Sequence, residues 1–190
     1  MCFYITATLP KRTQVDSFRE LLDKHEMKFS PIHNLIVQSQ LRPDELYFRA
    51  TKNYCDCDTV LGSLNRFQDF QTLSKSKKVK ALKKKNWSEE EINNWINTKL
   101  KSKQKKTGKK ISLLEIKNEA ERWIRFLHAL LDNKIVSRIG ILKHWYTKAL
   151  EDEEIKIKKT QRISINEITQ DLLLNLSNDI LYEFLPVYEY

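Results

Sequence analysis

Residues 2–9 read Cys2-Phe3-Tyr4-Ile5-Thr6-Ala7-Thr8-Leu9 and alternate strictly. Phe3, Ile5, Ala7 and Leu9 fall on one side, with Cys2, Tyr4, Thr6 and Thr8 on the other. A period of two belongs to a β-strand, because successive side chains point to opposite faces of the pleat. The period then changes: Val15, Phe18, Leu21 and Leu22 recur at helical spacing. The run Leu35-Ile36-Val37-Gln38-Ser39-Gln40 precedes the turn formers Arg42-Pro43-Asp44. Residues 45–51 alternate again, Leu46, Phe48 and Ala50 against Tyr47, Arg49 and Thr51, so the two runs predict a hairpin.

Further along, Ile92, Trp95, Ile96 and Leu100 line one helix, which stops near Gly108. Leu113, Ile116, Ala120, Trp123, Ile124, Leu127 and Leu131 line a longer one. Residues 139–146 predict a fourth strand and residues 154–161 a fifth. Ile168, Leu172, Leu176, Ile180 and Phe184 recur every four residues and predict a closing helix before Pro186. The order is β-α-β-β-α-β, that of a ferredoxin-like, split-βαβ antiparallel sheet. The sequence therefore predicts one α+β domain over residues 1–190, with an enlarged lysine-rich helical hairpin inserted at 74–133 and a C-terminal strand-helix extension.

One device marks three helix starts. Trp87-Ser88-Glu89-Glu90-Glu91-Ile92, Ile111-Ser112-Leu113-Leu114-Glu115-Ile116 and Ile163-Ser164-Ile165-Asn166-Glu167-Ile168 each read apolar-Ser-x-x-Glu-Ile. The serine accepts from a first-turn N–H and the glutamate reaches back to the cap N–H, while the flanking apolar residues staple the entry.

Charge is segregated along the chain. Between Lys75 and Lys110 stand fourteen lysines and three glutamates, a local +11. The whole chain carries +9, so the remaining residues sum to −2. Candidate polyanion ligands are Lys77, Lys78, Lys80, Lys83, Lys84, Lys85, Lys99, Lys101, Lys103, Lys105, Lys106, Lys109 and Lys110. Such a segment attracts polyanions over several ångströms, an attraction that salt weakens. Lysine is a mobile point charge, suited to phosphate backbones and ill-suited to the bidentate reading of bases. Two partners fit, nucleic acid or an acidic protein; the alternative to both is a solvated face that keeps the protein soluble.

The most unusual local sequence is Asn53-Tyr54-Cys55-Asp56-Cys57-Asp58-Thr59. In the expected sheet the end of the third strand lies beside the start of the first, where Cys2 sits. The fourth strand flanks the first on its other side and brings His144 to the same edge. Cys2, Cys55, Cys57 and His144 are thus a candidate zinc-ligand set. Against it, structural zinc ligands usually stand two to four residues apart, and a free cysteine often serves as a small buried hydrophobe. Tyr4 and Tyr47, with Arg49 beside them, form a second candidate, a base-stacking surface on the two central strands. A covering element on that face would instead make both tyrosines core.

No phosphate loop, nucleophile elbow or HExxH motif is present, so the sequence leans away from an enzyme and offers a place for no cofactor other than zinc. The N-terminus lacks a signal peptide's basic and apolar regions, the three cysteines are an odd count, and no apolar run approaches the ~20 residues of a membrane span. A cytoplasmic protein with reduced thiols is expected. The sequence favours a non-enzymatic binder of nucleic-acid backbone. Behind it stand a protein-interaction module, of the bacterial antidote or immunity or phage-encoded inhibitor type, meeting an acidic partner, and an enzyme of unrecognised type.

Overall fold

The computed structural model describes residues 2–13, 15–50, 54–62, 73–74, 76–107 and 113–187. Its centre is a six-stranded mixed sheet in the order β2-β3-β1-β4-β6-β5. The strands are β1 (Cys2–Pro10), β2 (Ser30–Pro31), β3 (Glu45–Arg49), β4 (Ile139–Tyr146), β5 (Lys159–Ser164) and β6 (Ile180–Leu185). Among the described residues six α-helices with defined bounds accompany it: α1 (Arg19–Lys24), α2 (Leu35–Gln38), α3 (Lys77–Lys84), α4 (Glu89–Thr107), α5 (Leu113–Asp132) and α6 (Gln170–Leu174). The protein is α+β, and no described helix is long and apolar enough to cross a membrane.

β1 runs antiparallel to β3 on one side and to β4 on the other. The sheet then departs from an all-antiparallel plan: β6 pairs antiparallel with β4 and parallel with β5. Both faces are buried. Ile5, Ala7 and Leu9 meet Phe18, Leu22, Trp123, Phe126, Leu127, Leu130 and Leu173 in the larger core, so α5 belongs to the packing of the sheet. On the opposite face Tyr47, Leu142, Tyr146 and Leu181 pack with Ile32, Val37 and Ile155. That face is covered by α2 and by the irregular segment 147–158.

Three sequence expectations are corrected here. Residues 35–40 are not a strand but the short helix α2, and the second strand lies earlier, at Ser30–Pro31. The run Leu35-Ile36-Val37 has strand-like composition, but Asn34 decides its conformation. Its side chain accepts from the Val37 N–H at 2.9 Å and caps the helix. Its amide also donates to the carbonyls of Leu150 and Glu153, pinning α2 to the covering segment.

The expected closing helix is likewise replaced. Ser164 and Glu167 do form their reciprocal capping box, but on a 3-10 turn, Ile165–Glu167, that does not propagate. After α6 the chain turns at Asp179, whose φ is 64°, and enters β6. Asp and Asn tolerate that left-handed conformation better than most residues. In β6, Tyr182 and Phe184 serve the larger core while Leu181 and Glu183 face the other way. A central strand buried on both faces reads as an apolar run, and its four-residue spacing imitated a helix. The fifth strand also begins later than expected, at Lys159, because residues 147–158 cover the sheet.

Candidate functional site

Three thiols converge at one corner of the sheet. The Sγ atoms of Cys2, Cys55 and Cys57 all lie within 4.8 Å of one another, each residue half-buried. Backbone pairing puts them there. The Asp56 N–H donates to the Phe3 carbonyl at 2.7 Å, and the Ile5 N–H donates to Asp56 Oδ2 at 2.7 Å. Asp56 is thus a surrogate strand residue that holds the 54–59 turn against β1. The Thr59 hydroxyl closes the turn on the Asp56 carbonyl and carboxylate. Gly62 is required behind it, since a Cβ there would sit 1.6 Å from the Asp56 carbonyl oxygen.

The Phe3 N–H donates to Cys57 Sγ at 3.3 Å. Burial pushes the Cys57 thiol up to about 12 against that donor, and hydrogen bonding with Cys55 and Cys2 adds to the rise. Tyr4 borders the same corner, and burial together with neighbouring Cys2 raises its phenol, partly offset by Arg49.

His144 is not part of this group. It pairs with Tyr4 across β1 and β4, but its Nδ1 is bonded to Asp179 and its Nε2 lies 3.6 Å from Glu153. Glu153 is buried and accepts from the backbone N–H groups of Thr147 and Lys148 at 2.7 and 2.6 Å. Burial alone would raise the Glu153 carboxyl, but these donors outweigh it and hold it below its ordinary value. Asp179 is held low in the same way, burial being outweighed by Lys158 and His144. The histidine that was expected to complete a metal set therefore fastens β4 to the covering segment and to the turn before β6.

The stacking surface is also corrected. Tyr47 is 1% exposed, and its hydroxyl bonds to Thr6 at 2.8 Å and to the Tyr146 hydroxyl at 2.7 Å. Burial raises the Tyr47 phenol to about 12. Tyr4 is half-buried in an edge contact with Tyr146, and the Arg49 guanidinium already lies 5.5 Å from its ring centroid. A nucleobase has no face left to stack on at Tyr47.

At the opposite end of the same sheet face lies an ion-pair network. Glu45 and Glu183 are buried. Arg138 reaches Glu45 at 2.9 Å and Asp44 at 2.7 Å, while Arg42 and Arg162 reach Glu183 at 2.8 and 3.3 Å. A depression of about 500 Å³ opens there, lined among others by Arg42, Glu45, Arg162 and Glu183. Its charges are paired with one another. The sequence signal, a Glu at an inward position of each of two strands, was available.

The basic segment forms two helices with an apolar cluster of their own, Val79, Leu82, Ile92 and Ile96, against which Leu73 and Trp95 pack. Ser88 caps α4 as its spacing requires: the Glu91 N–H donates to Ser88 Oγ and the Ser88 N–H to Glu91 Oε2. Lys78, Lys80, Lys83 and Lys84 on α3, Lys85 at its C-cap and Lys99 on α4 are all exposed. The side chains of Lys77, Lys101, Lys103, Lys105 and Lys106 lie outside the described residues, as do Lys109, Lys110 and the third cap, Ser112.

One functional residue was missed outright. Lys143 is 1% exposed; its Nζ donates to the Leu61 carbonyl at 2.6 Å and lies 5.6 Å from the centroid of the Phe3 ring. It ties the far end of the cysteine-bearing turn to β4. A lysine at the inward phase of Ile139, Ile141 and Lys143 was the available clue. Comparison with family models, curated proteins and solved structures finds no match to this chain.

Proposed function

We propose that this protein is a non-enzymatic binder of nucleic-acid backbone and that the α3–α4 hairpin carries the contact. The observation that supports the reading is how the hairpin uses its residues. Val79, Leu82, Ile92 and Ile96 are taken up in packing the two helices together, and among the described side chains Lys78, Lys80, Lys83 and Lys84 of α3 and Lys99 of α4 are exposed. The segment is +11 while the rest of the chain is −2. Glu45 and Glu183 of the sheet and Glu153 of the covering segment are buried and bonded within the protein. A field of this kind steers a polyanion toward one region.

Lysine without arginine favours contact with phosphate over base edges, so binding is sequence-independent and steeply salt-dependent. The ferredoxin-like reading of strands β1 to β4, with β5 and β6 as the extension, belongs to the same proposal. It makes the hairpin an insertion between the third and fourth strands of a common scaffold.

The test replaces Lys78, Lys80, Lys83, Lys84 and Lys85 with Gln, which lowers the segment from +11 to +6. Parent protein should bind duplexes of unrelated sequence alike, with log affinity falling linearly in log salt. The variant should show a shallower slope, by ~0.9 for each phosphate that it no longer neutralises. Parent protein that ignores duplex at low salt would overturn the reading and return an acidic protein surface as the partner.

A further inference from the structure

We propose that Cys2, Cys55 and Cys57 form a three-thiolate site for a thiophilic divalent cation, with Zn²⁺ as its natural occupant and a fourth coordination position open to solvent. The inference stands apart from the hairpin and rests on the sheet corner alone.

Geometry is the first ground. Three Sγ atoms from two distant stretches of chain lie within 4.8 Å of one another. Around a zinc ion with Zn–S bonds of about 2.3 Å, tetrahedral sulfurs stand roughly 3.8 Å apart. The thiols need to close by about an ångström at most, within the reach of side-chain rotation.

The second ground is support. The turn that carries Cys55 and Cys57 is fastened to the strand that carries Cys2 by the two Asp56 hydrogen bonds, to Phe3 and Ile5. Its far end is fastened to β4 by the Lys143 ammonium on the Leu61 carbonyl. Ligands are therefore presented by rigid elements, which is what distinguishes a site from a chance cluster. The one-residue spacing of Cys55 and Cys57 is workable for the same reason. Asp56 is turned inward and bonded to β1, while the residues on either side of it converge on Cys2.

The third ground is the Phe3 N–H directed at Cys57 Sγ at 3.3 Å. A backbone donor on a ligand sulfur stabilises the thiolate and orients its remaining lone pairs, the usual work of an outer partner at a metal site. The fourth ground is the ligand count. Among the described residues no His, Cys, Asp or Glu joins the three sulfurs, and His144 is bonded to Asp179. Three protein ligands and an open position are the arrangement of a zinc site that admits an exchangeable group, whereas purely structural sites close with four. Half-burial of all three thiols leaves that position reachable from solvent.

The experiment uses the full chain, reduced with a phosphine and freed of metal, then titrated with Co²⁺ and with Zn²⁺. One equivalent of Co²⁺ should give an intense thiolate-to-metal charge-transfer band that Zn²⁺ abolishes. Zn²⁺ should protect all three cysteines from alkylation and raise Tm, since a ligand that binds only the folded state stabilises it. Cys2→Ser and Cys55→Ser should each weaken Zn²⁺ by more than about 100-fold, beyond the cost of a lost outer partner. His144→Gln should leave the affinity unchanged.

Co²⁺ binding without the charge-transfer band, alkylation that Zn²⁺ does not slow, or serine variants that hold zinc as the parent does would overturn the site. Loss of zinc in His144→Gln equal to that in the serine variants would overturn the open position. The alkylation arm needs no variant, so a serine protein that fails to fold does not shelter the proposal.

Discussion

Two lysine environments divide this protein. Lys143, in the middle of β4, is sealed in the core with its ammonium on a backbone carbonyl. Lys83 and its neighbours in α3 are exposed on a helix whose apolar residues are already packed. The sheet body resolves its charges within itself: Glu45 and Glu183 against three arginines, Glu153 against two backbone N–H groups, and Asp179 against His144 and Lys158. The hairpin turns its charge outward. A formal count of charges does not distinguish the two, yet in one region a charge is a structural bolt and in the other a field. The reason is solvation: a buried charged group must find its partner inside the protein, whereas an exposed one is satisfied by water and remains available to a ligand.

The comparison breaks most directly at Lys143. Lys143→Ala removes a donor from the buried Leu61 carbonyl and leaves a void beside Phe3, and should cost about 3 kcal/mol. Lys83→Ala should move stability by no more than about half a kcal/mol. Urea midpoints measure both. Equal costs would mean that the two lysines do not differ in kind.

Acid tests the internal closure next. Burial, together with Lys24, Arg125 and Arg122, holds the His25 imidazolium pKa below the ordinary 6.5. The unfolded chain therefore binds the proton first. His25's contribution is complete above pH 6.5 and is lost as pH falls from there toward its lowered folded value. Glu153 and Asp179 have folded values below the ordinary 4.5 and 3.8, so their contribution is complete above those values and lost as pH falls through the folded ones. Stability measured by denaturant titration should fall in two stages, first below pH 6.5 and then below about pH 4.5. The Glu153→Gln variant should flatten the second stage, and a parent protein with constant stability from about pH 7 to about pH 3 would contradict the assignment.

A local effect belongs to the cap of α4. Ser88→Ala deletes one half of the α4 capping box and should cost about 1 kcal/mol. Faster amide exchange in the first turn of α4 is its readout. An unchanged exchange pattern would show that the cap does not hold the helix start.

Much of the architecture was legible in local pattern. The alternation of residues 2–9 assigned one face of β1 to the larger core, and that face is where Ile5, Ala7 and Leu9 are found. The periodic stripes gave α5 and α4, and the Ser88 and Ser164 boxes form as their spacing demands. These features depend on neighbours within four residues, so the sequence carries them. The failures share a cause. Whether Leu35-Ile36-Val37 becomes strand or helix turned on Asn34 finding partners on residues 150 and 153. Whether the last segment becomes helix or strand turned on the open edge of β4.

The candidate site divides in the same way. The sequence determined that three thiols existed, that two of them stood one residue apart, and that the positive charge was concentrated in one segment. Antiparallel pairing of β1 with β3 then lay behind the expectation that Cys2 and the turn after β3 would meet. Only tertiary structure decided that Asp56 would clamp that turn to β1, that His144 would be drawn to Asp179 instead of to the sulfurs, and that α2 and residues 147–158 would cover Tyr47. Each of those outcomes is a competition for hydrogen bonds or buried area between groups far apart in the chain, and no local pattern records the result of such a competition.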